Sequence, residues 1–327
     1  MGKKIKYFEA LRGVAILMVV GGHTVILDSS FEIFIRQIIN CSVPIFFALS
    51  GYFLYKKSLN TKEQIYSFWR NQIPKVYVPV LIWSLPRFIP HMMHGKLITA
   101  LLQLFCCGYS IYYFVAVIIQ FYLLLPLLQR YKFSNKPVGG GISCCISLIS
   151  VVVITYIHII LGIKLPLIIY AGFCLLWLWF FVIGCKLSQS DRQYSLLIPI
   201  VVSIIGIIAS FFEARFLIEN YEGGEGIKPT SFIFSAGVCY VLLSARLEKL
   251  YDNVNGQIAN VIEYLGKNSF VLYLLHIHLV KYVRSMLGMT QSSILNFFVV
   301  LTLSIVMIEI MKKLIPSRYQ YYLGIYQ

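Results

Sequence analysis

The sequence predicts an all-α protein, a polytopic integral membrane bundle of about ten transmembrane helices. Composition is the first observation, because 59% of the 327 residues are hydrophobic and only 13% are charged, whereas soluble domains average roughly a quarter charged residues. The mean hydropathy of +0.78 is the second. The third is a series of apolar windows that approach the length of about 20 residues that a helix needs to cross roughly 30 Å of hydrocarbon.

Ten such windows follow one another along the chain. They cover residues 8–27, 37–55, 73–90, 111–129, 142–161, 167–186, 195–212, 230–246, 268–287 and 293–312. We expect helices and not barrel strands, because lipid leaves no water for backbone groups and the windows are long and unalternating. Since the chain has no long polar or low-complexity tract, we predict a single domain over residues 1–327.

The first window has features that distinguish it from a cleavable signal peptide. It contains Arg12 and His23, lacks a small-residue cleavage site and is followed by further apolar windows. We therefore expect it to be a membrane span.

Prolines interrupt the third window. Pro74, Pro79, Pro86 and Pro90 lie in or beside it, and each removes a backbone donor from a helix. We expect an irregular helix whose breaks are accommodated by neighbouring helices or by a water-filled cavity.

Lys and Arg are distributed unevenly between the two sides of these spans. Of the 28 Lys and Arg residues, 20 fall on the side of the N-terminus, and the positive-inside rule places that side, which also holds the C-terminus, in the cytosol. The acidic loop 213–229, with Glu222 and Glu225, falls on the other side. The formal charge of +15 is thus explained by the membrane topology and by attraction to anionic membrane lipid. Nucleic acid is not an expected partner.

The eight cysteines lie within or beside apolar segments, without the spacing of metal ligands. Small buried hydrophobic residues explain them best, so no metal site is predicted. A disulfide framework or a zinc site is the less favoured alternative.

Arg12 and His23 lie on one face of the first predicted helix. Ten residues separate them, so at about 100° per residue they differ by three turns plus about 20°, with an axial separation of about 16 Å. Ionisable groups at membrane depth are costly unless they face a cavity or a partner, which makes both residues site candidates. The alternatives are that Arg12 reaches the interface or pairs with Glu9, and that His23 is a neutral, buried hydrogen-bonding residue.

The segment that holds both residues resembles the opening span of acyltransferase family 3, whose mark is an Arg, ten residues and then a His. Three further segments resemble signatures of the same family, in the expected order: residues 44–54 with Phe-Phe and Ser-Gly, residues 120–128 with Tyr and Pro, and residues 265–276 with Ser, Tyr and His. Four ordered matches are far more specific than any one of them. We therefore expect the chain to be a member of this family.

The resemblance implies an O-acyltransferase of the bacterial cytoplasmic membrane. Such an enzyme moves an acyl group, usually acetyl, from cytosolic acyl-coenzyme A to a hydroxyl of an envelope polysaccharide or lipid-linked glycan, with no permanently bound cofactor. Arg12 would hold the donor phosphates. His23 is the expected catalytic residue, because an imidazole with an ordinary pKa of about 6.5 supplies a neutral base at physiological pH. Direct transfer and a transient acyl group on His23 both stay open.

Two departures from the family pattern precede the third and fourth spans. The family often has an Arg, two residues and an Arg before the proline that opens the third span; aligned on Pro79, this chain has Gln72 and Lys75, with Arg70 two residues earlier. Arg70 and Lys75 are the expected donor-binding residues there, although a lysine cannot form the bidentate fork of an arginine. Many relatives have a His before the fourth span, where this chain has residues 110–113, which we interpret as an acceptor-side difference.

Glu9, Ser50, Tyr122 and His276 are further site candidates. For Ser50, with Gly51 beside it, close helix packing is the alternative. For Tyr122 the alternative is an aromatic packing residue with a satisfied hydroxyl. His276 lies mid-span inside a matched motif, which favours a functional role.

A carrier or exporter of envelope glycan or lipid intermediates is the rival function, because a bundle with buried His and Arg would also suit a translocation path. The sequence shows no inverted repeat and no paired broken helices, and the matched motifs favour one reaction centre. A ligand sensor is favoured least, because no soluble output domain is predicted.

Overall fold

The structure, a computed structural model, describes residues 2–133, 136–221, 223–224, 226–286 and 292–326. It is 81% helical, and the described residues contain no strand, which confirms the predicted all-α class. Glu222 and Glu225 of the predicted acidic loop, and residue 287 at the end of the ninth predicted span, lie outside the described residues.

The described residues form sixteen α-helices. In chain order these are α1 Gly2–Thr24, α2 Ser30–Ile39, α3 Ser42–Leu54, α4 Lys62–Met93, α5 Leu97–Phe105, α6 Tyr113–Arg130, α7 Pro137–Thr155, α8 Leu167–Ala171, α9 Cys174–Ser188, α10 Leu197–Asn220, α11 Pro229–Leu242, α12 Ala245–Tyr251, α13 Gly256–Lys267, α14 Ser269–Met286, α15 Ser293–Leu314 and α16 Ser317–Gln320. A 3₁₀ turn, Tyr321–Leu323, follows α16.

Several of these helices are long and apolar enough to cross a membrane. Within the described ranges six helical segments qualify: Ser30–Leu54, Ser110–Arg130, Val138–Ile160, Leu167–Ser188, Leu197–Asn220 and Ser293–Leu314. A seventh is added if α11 and α12, which meet at 62°, form one broken span. Some of them expose most of their apolar side chains, as α10 does, where Ile198 is 70% exposed and Phe212 65%. The chain is a membrane protein, whereas the count of ten spans stays a prediction.

Some helices lie where the sequence predicts only connections. α2 begins at Ser30, although the second predicted span starts at residue 37, because the Ser29 hydroxyl accepts a hydrogen bond from the Glu32 amide and caps the helix. α5 lies in the connection before the fourth predicted span, and α13 lies in the loop after the eighth. The connections are therefore more helical than their sequence indicates.

α4 differs from the irregular third span that its prolines predict. It runs as one 32-residue helix that contains all four prolines: Pro74, Pro79, Pro86 and Pro90. Thr61 starts it with a capping box, in which the Thr61 hydroxyl accepts from the Gln64 amide and the Gln64 side chain accepts from the Thr61 amide. Each proline removes a single backbone donor, and the remaining hydrogen bonds continue the helix.

Small residues set the position of α1, the helix that carries Arg12 and His23. A Cβ added to Gly13 would overlap the carbonyl oxygen of Ile262, and one added to Gly266 would overlap that of Glu9. The backbones of α1 and α13 are thus in contact. As a result, the turn that joins α13 to α14 lies beside Glu9 on the first helix.

Candidate functional site

A cavity of about 990 Å³ lies along α1. Five of the eight predicted site residues line it: Glu9, Arg12, His23, Ser50 and Tyr122. Because α1 is one uninterrupted helix, Arg12 and His23 lie about 16 Å apart along its axis. We name the two regions by these residues: the Arg12 end, with Glu9, Arg12, Lys267, Lys312 and Tyr326, and the His23 end, with Gly22, His23, Arg36, Tyr113 and Lys228.

At the Arg12 end, an ion pair holds the arginine toward the cavity. Arg12 Nη1 donates to Glu9 Oε1 at 2.8 Å, and the guanidinium lies 5.1 Å from the centre of the Phe53 ring. The second oxygen, Glu9 Oε2, is buried and has no hydrogen-bond partner among the described residues. The pairing with Glu9, which the sequence offers as an alternative role for Arg12, therefore forms, and it forms on the cavity wall.

Two lysines lie near Arg12 at this end of the cavity. In the sequence they count only toward the charge difference between the two sides of the membrane. Lys267 ends α13 and Lys312 lies in the last turn of α15, and both line the cavity. Lys312 Nζ binds Glu309 Oε1 at 2.8 Å and lies 4.9 Å from the centre of the Tyr264 ring. The Arg12 end thus combines cations from three helices, a composition that suits a phosphorylated ligand.

At the His23 end, two histidines from different helices lie side by side. His23 lines the cavity, and its ring centre is 5.4 Å from that of His276 on α14. The carbonyl oxygen of His23 accepts a hydrogen bond from Arg284 Nη2 at 3.1 Å. α14 therefore fixes both the backbone and the ring environment of His23.

His276 lies behind His23 and not on the cavity wall. It is fully buried, and its Nδ1 lies 2.9 Å from the carbonyl oxygen of Leu272. Because a carbonyl oxygen only accepts, Nδ1 carries the proton. The other ring nitrogen, Nε2, is a buried atom without a hydrogen-bond partner in the described part of the chain.

Two cationic side chains at the His23 end were not predicted as site residues. Arg36 donates through Nη1 to the carbonyl oxygen of Gly22, and the fully buried Lys228 donates through Nζ to Gln37 Oε1. In the sequence, nothing distinguishes these two residues from the other basic residues that fall on the predicted outer side of the membrane. Their place beside His23 follows from how α2 and α11 pack.

The Ser50 and Tyr122 positions combine packing with access to the cavity. Ser50 lines the cavity while its hydroxyl donates to the Phe46 carbonyl at 2.8 Å. Tyr122 also lines it, and its carbonyl oxygen accepts from Trp69 Nε1 at 2.9 Å. A Cβ on Gly51 would overlap the carbonyl oxygen of a residue on α9, so the close-packing alternative holds for the glycine.

The side chains of Arg70 and Lys75 are not among those that line the cavity. Both residues are exposed on α4, which reaches the cavity one residue later, at Val76. The carbonyl oxygen of Lys75 accepts a hydrogen bond from the hydroxyl of Tyr326. Partial burial, and then the charge of nearby Lys75, hold the pKa of Lys57 below its ordinary value, so this surface of the protein is crowded with positive charge.

The segment before α6, where many relatives have a histidine, contributes tyrosines. Tyr113 lines the cavity at its His23 end. Tyr112 is buried, and its hydroxyl lies 2.9 Å from both the Leu274 carbonyl oxygen and His278 Nε2. His278 is therefore engaged in packing α14 against the segment before α6.

Comparisons with known proteins place this chain in a family. Neither the curated proteins nor the solved structures give a match. A sequence model described as an acyltransferase domain matches residues 5–308, a region that contains all four motif segments and every predicted site residue. This match covers most of the chain and confirms the predicted resemblance, so the chain belongs to acyltransferase family 3.

Proposed function

We propose that the protein is a membrane O-acyltransferase that moves an acyl group, acetyl in the first instance, from cytosolic acyl-coenzyme A to a hydroxyl of an envelope polysaccharide or lipid-linked glycan. The observation that carries the proposal is the single cavity that joins Arg12 and His23 along one face of α1. Family membership supports the reaction class. The bacterial cytoplasmic membrane is the proposed location.

The two ends of the cavity match the two ends of the donor. An acyl-coenzyme A carries its phosphates far from its thioester, at opposite ends of an extended arm. Arg12, Lys267 and Lys312 offer charge for the phosphates at one end. His23 lies about 16 Å further along α1, where an arm that threads the cavity would deliver the thioester.

His23 is the proposed general base. As the acceptor oxygen attacks the thioester carbonyl, the hydroxyl proton passes to His23, the new ester C–O bond forms and the C–S bond breaks. The leaving coenzyme A thiolate takes the proton back from the imidazolium. A two-step version uses the same residue: an imidazole nitrogen first displaces the thiolate, which leaves with the imidazole proton. The acceptor hydroxyl then attacks the acyl-imidazole, so that the ester C–O bond forms, the C–N bond breaks and the hydroxyl proton returns to the imidazole.

We also infer ten spans with both termini in the cytosol. The three predicted spans without a qualifying segment are carried by α1, α4 and α14. Two of these hold Arg12, His23 and His276, and polar residues that face a cavity lower the hydropathy of a helix without excluding it from the membrane. Both α1 and α4 exceed the roughly 20 residues that a span needs.

The test is coenzyme A release by the purified wild type, His23→Ala and His94→Ala proteins, with labelled acetyl-coenzyme A and an envelope-glycan fraction. We expect label in the glycan and a loss of at least about 10²-fold in rate for His23→Ala, because a positioned base contributes that much or more. His94, exposed at the end of α4, is the matched control and should keep wild-type activity.

Two results would contradict the proposal. Wild-type release by a folded His23→Ala protein would remove the histidine from the reaction. No release by any of the folded proteins, across several acyl donors and acceptors, would favour the exporter.

A further inference from the structure

The C-terminal segment, residues 317–326, forms part of the cavity wall. It lies beyond residues 5–308, the region that matches the acyltransferase domain. Its last described residue, Tyr326, lines the cavity, and the Tyr326 hydroxyl donates to the carbonyl oxygen of Lys75 on α4. The wall of the cavity is therefore completed by a segment outside the matched domain.

The segment is anchored at several points. The buried side chain of Gln320 donates through Nε2 to the carbonyl oxygens of Lys312, at 3.0 Å, and Ile315, at 2.9 Å. Trp83 Nε1 on α4 donates to the Leu323 carbonyl at 3.2 Å, and Ile325 is only 3% exposed. Tyr326 is thus held in place by the packing of α4 and α15 around the residues that precede it.

Gly324 turns the segment back toward the cavity. Its φ of +79° is a left-handed conformation that favours glycine, and a Cβ added there would lie 2.9 Å from a ring carbon of Phe270. After this turn the Tyr326 ring lies nearly parallel to the Phe270 ring, at 13° and 6.1 Å between centres. Phe270, in the first turn of α14, lines the cavity three residues after Lys267, which places Tyr326 at the Arg12 end.

We propose that the C-terminal segment is a donor-binding element and that Tyr326 contacts the nucleotide part of the acyl-coenzyme A. The inference rests on the proposed function, because it concerns the donor of that reaction. An aromatic ring offers a flat apolar surface for a purine, and Arg12, Lys267 and Lys312 offer charge for the attached phosphates. Together they form a site for a phosphorylated nucleotide.

The experiment measures KM and kcat for acetyl-coenzyme A in wild type, Tyr326→Ala, Tyr326→Phe and Tyr322→Ala. We expect Tyr326→Ala to raise the donor KM about tenfold, as the loss of one stacking ring does, with kcat and the acceptor KM within about twofold. Tyr326→Phe keeps the ring and should stay near wild type. Tyr322, 45% exposed and outside the cavity, is the control.

Equilibrium dialysis of coenzyme A against the same four proteins separates this inference from the proposed function. Wild-type turnover combined with an unchanged donor KM and unchanged binding in Tyr326→Ala overturns the inference alone. An increase confined to the acceptor KM overturns it as well. Absence of turnover in the wild type contradicts the proposed acyl transfer. If coenzyme A still binds and Tyr326→Ala weakens that binding tenfold, the inference about the C-terminal segment is supported even so.

Folding is checked by size-exclusion profile and thermal midpoint in detergent. If Tyr326→Ala fails to fold, Tyr326→Leu replaces it, because leucine fills the space without a flat ring. A folded Tyr326→Leu protein with wild-type affinity for coenzyme A overturns the inference.

Discussion

His276 lies close to His23, the predicted catalytic residue, on the neighbouring helix α14. Its ring lies 5.4 Å from that of His23 but does not line the cavity. Its Nδ1 is tied to the Leu272 carbonyl, which fixes the ring against α14. We infer that His276 is a positioning residue that sets the orientation of the His23 imidazole.

Replacing His276 with Phe should lower kcat and leave the donor KM within about twofold. The phenyl ring keeps the volume but removes both ring nitrogens, and misplacement of a catalytic group by about 1 Å costs about 10²-fold in rate. The measurement is steady-state coenzyme A release at varied acetyl-coenzyme A. His278→Phe, two residues along the same helix, is the control and should keep kcat; equal losses in both variants would indicate a merely structural role for His276.

The sequence predicts some of these residues and misses others for a physical reason. Helical periodicity alone places Arg12 and His23 on one face, and the structure finds both on one cavity. Lys267, Lys312 and Tyr326 come to the same cavity from separate parts of the chain, and only tertiary packing brings them together. Arg70 was predicted from the alignment of this chain with the family pattern on Pro79, and its exposed side chain does not line the cavity.

At the scale of helices, the crossing of α3 and α9 depends on glycine. A Cβ added to Gly184 would overlap the carbonyl oxygen of Ala48, and the neighbouring Gly51 meets the α9 backbone in the same way. α3 also carries Ser50, so this crossing supports one wall of the cavity. Close approach of helix backbones is a common role of small residues in membrane proteins.

Gly184→Ala should destabilise the protein by about 1–3 kcal/mol, because the added methyl group forces the two helices apart. Gly140→Ala is the matched control: no atom lies within 4 Å of a Cβ at Gly140 in α7, and alanine favours a helix over glycine by about 1 kcal/mol. Thermal unfolding in detergent should show a lower midpoint for Gly184→Ala and an equal or higher one for Gly140→Ala. Equal midpoints for Gly184→Ala and wild type would mean that α3 and α9 can move apart to accommodate the methyl group without loss of stability.

Helices were predicted better than the connections between them. The apolar windows identify the long helices because burial in lipid demands uninterrupted length. Local capping determines where the short helices α2 and α13 begin. At α13, for example, the Asn255 side chain accepts a hydrogen bond from the Gln257 amide at 2.9 Å. A search for long apolar segments does not detect such capping residues. The prolines of α4 predicted an irregular helix, whereas α4 is continuous, because a long helix tolerates the loss of single backbone donors.

For the whole molecule, the inferred number of spans depends on α1, α4 and α14, which are not among the segments that qualify by length and composition. α1 and α14 both line the cavity and provide His23 and His276, whereas the qualifying α10 exposes apolar side chains outward. A helix that faces a polar cavity needs fewer apolar residues than one that faces lipid. We therefore expect a count based on composition alone to miss spans that line the candidate site.

The decisive prediction for the topology concerns the two ends of α4. We expect epitope tags inserted after Asn60 and after Lys96, exposed positions on either side of this 32-residue helix, to lie on opposite sides of the membrane. Antibody should reach the Lys96 tag in intact spheroplasts and the Asn60 tag only after permeabilisation, because the basic linker that contains Asn60 belongs in the cytosol. A tag at the N-terminus should behave like the Asn60 tag, and one after Asp28 like the Lys96 tag. If the Asn60 and Lys96 tags become accessible together, α4 does not cross, the ten-span arrangement is wrong, and Tyr326, whose hydroxyl contacts α4 at Lys75, loses its proposed place beside a cytosolic donor.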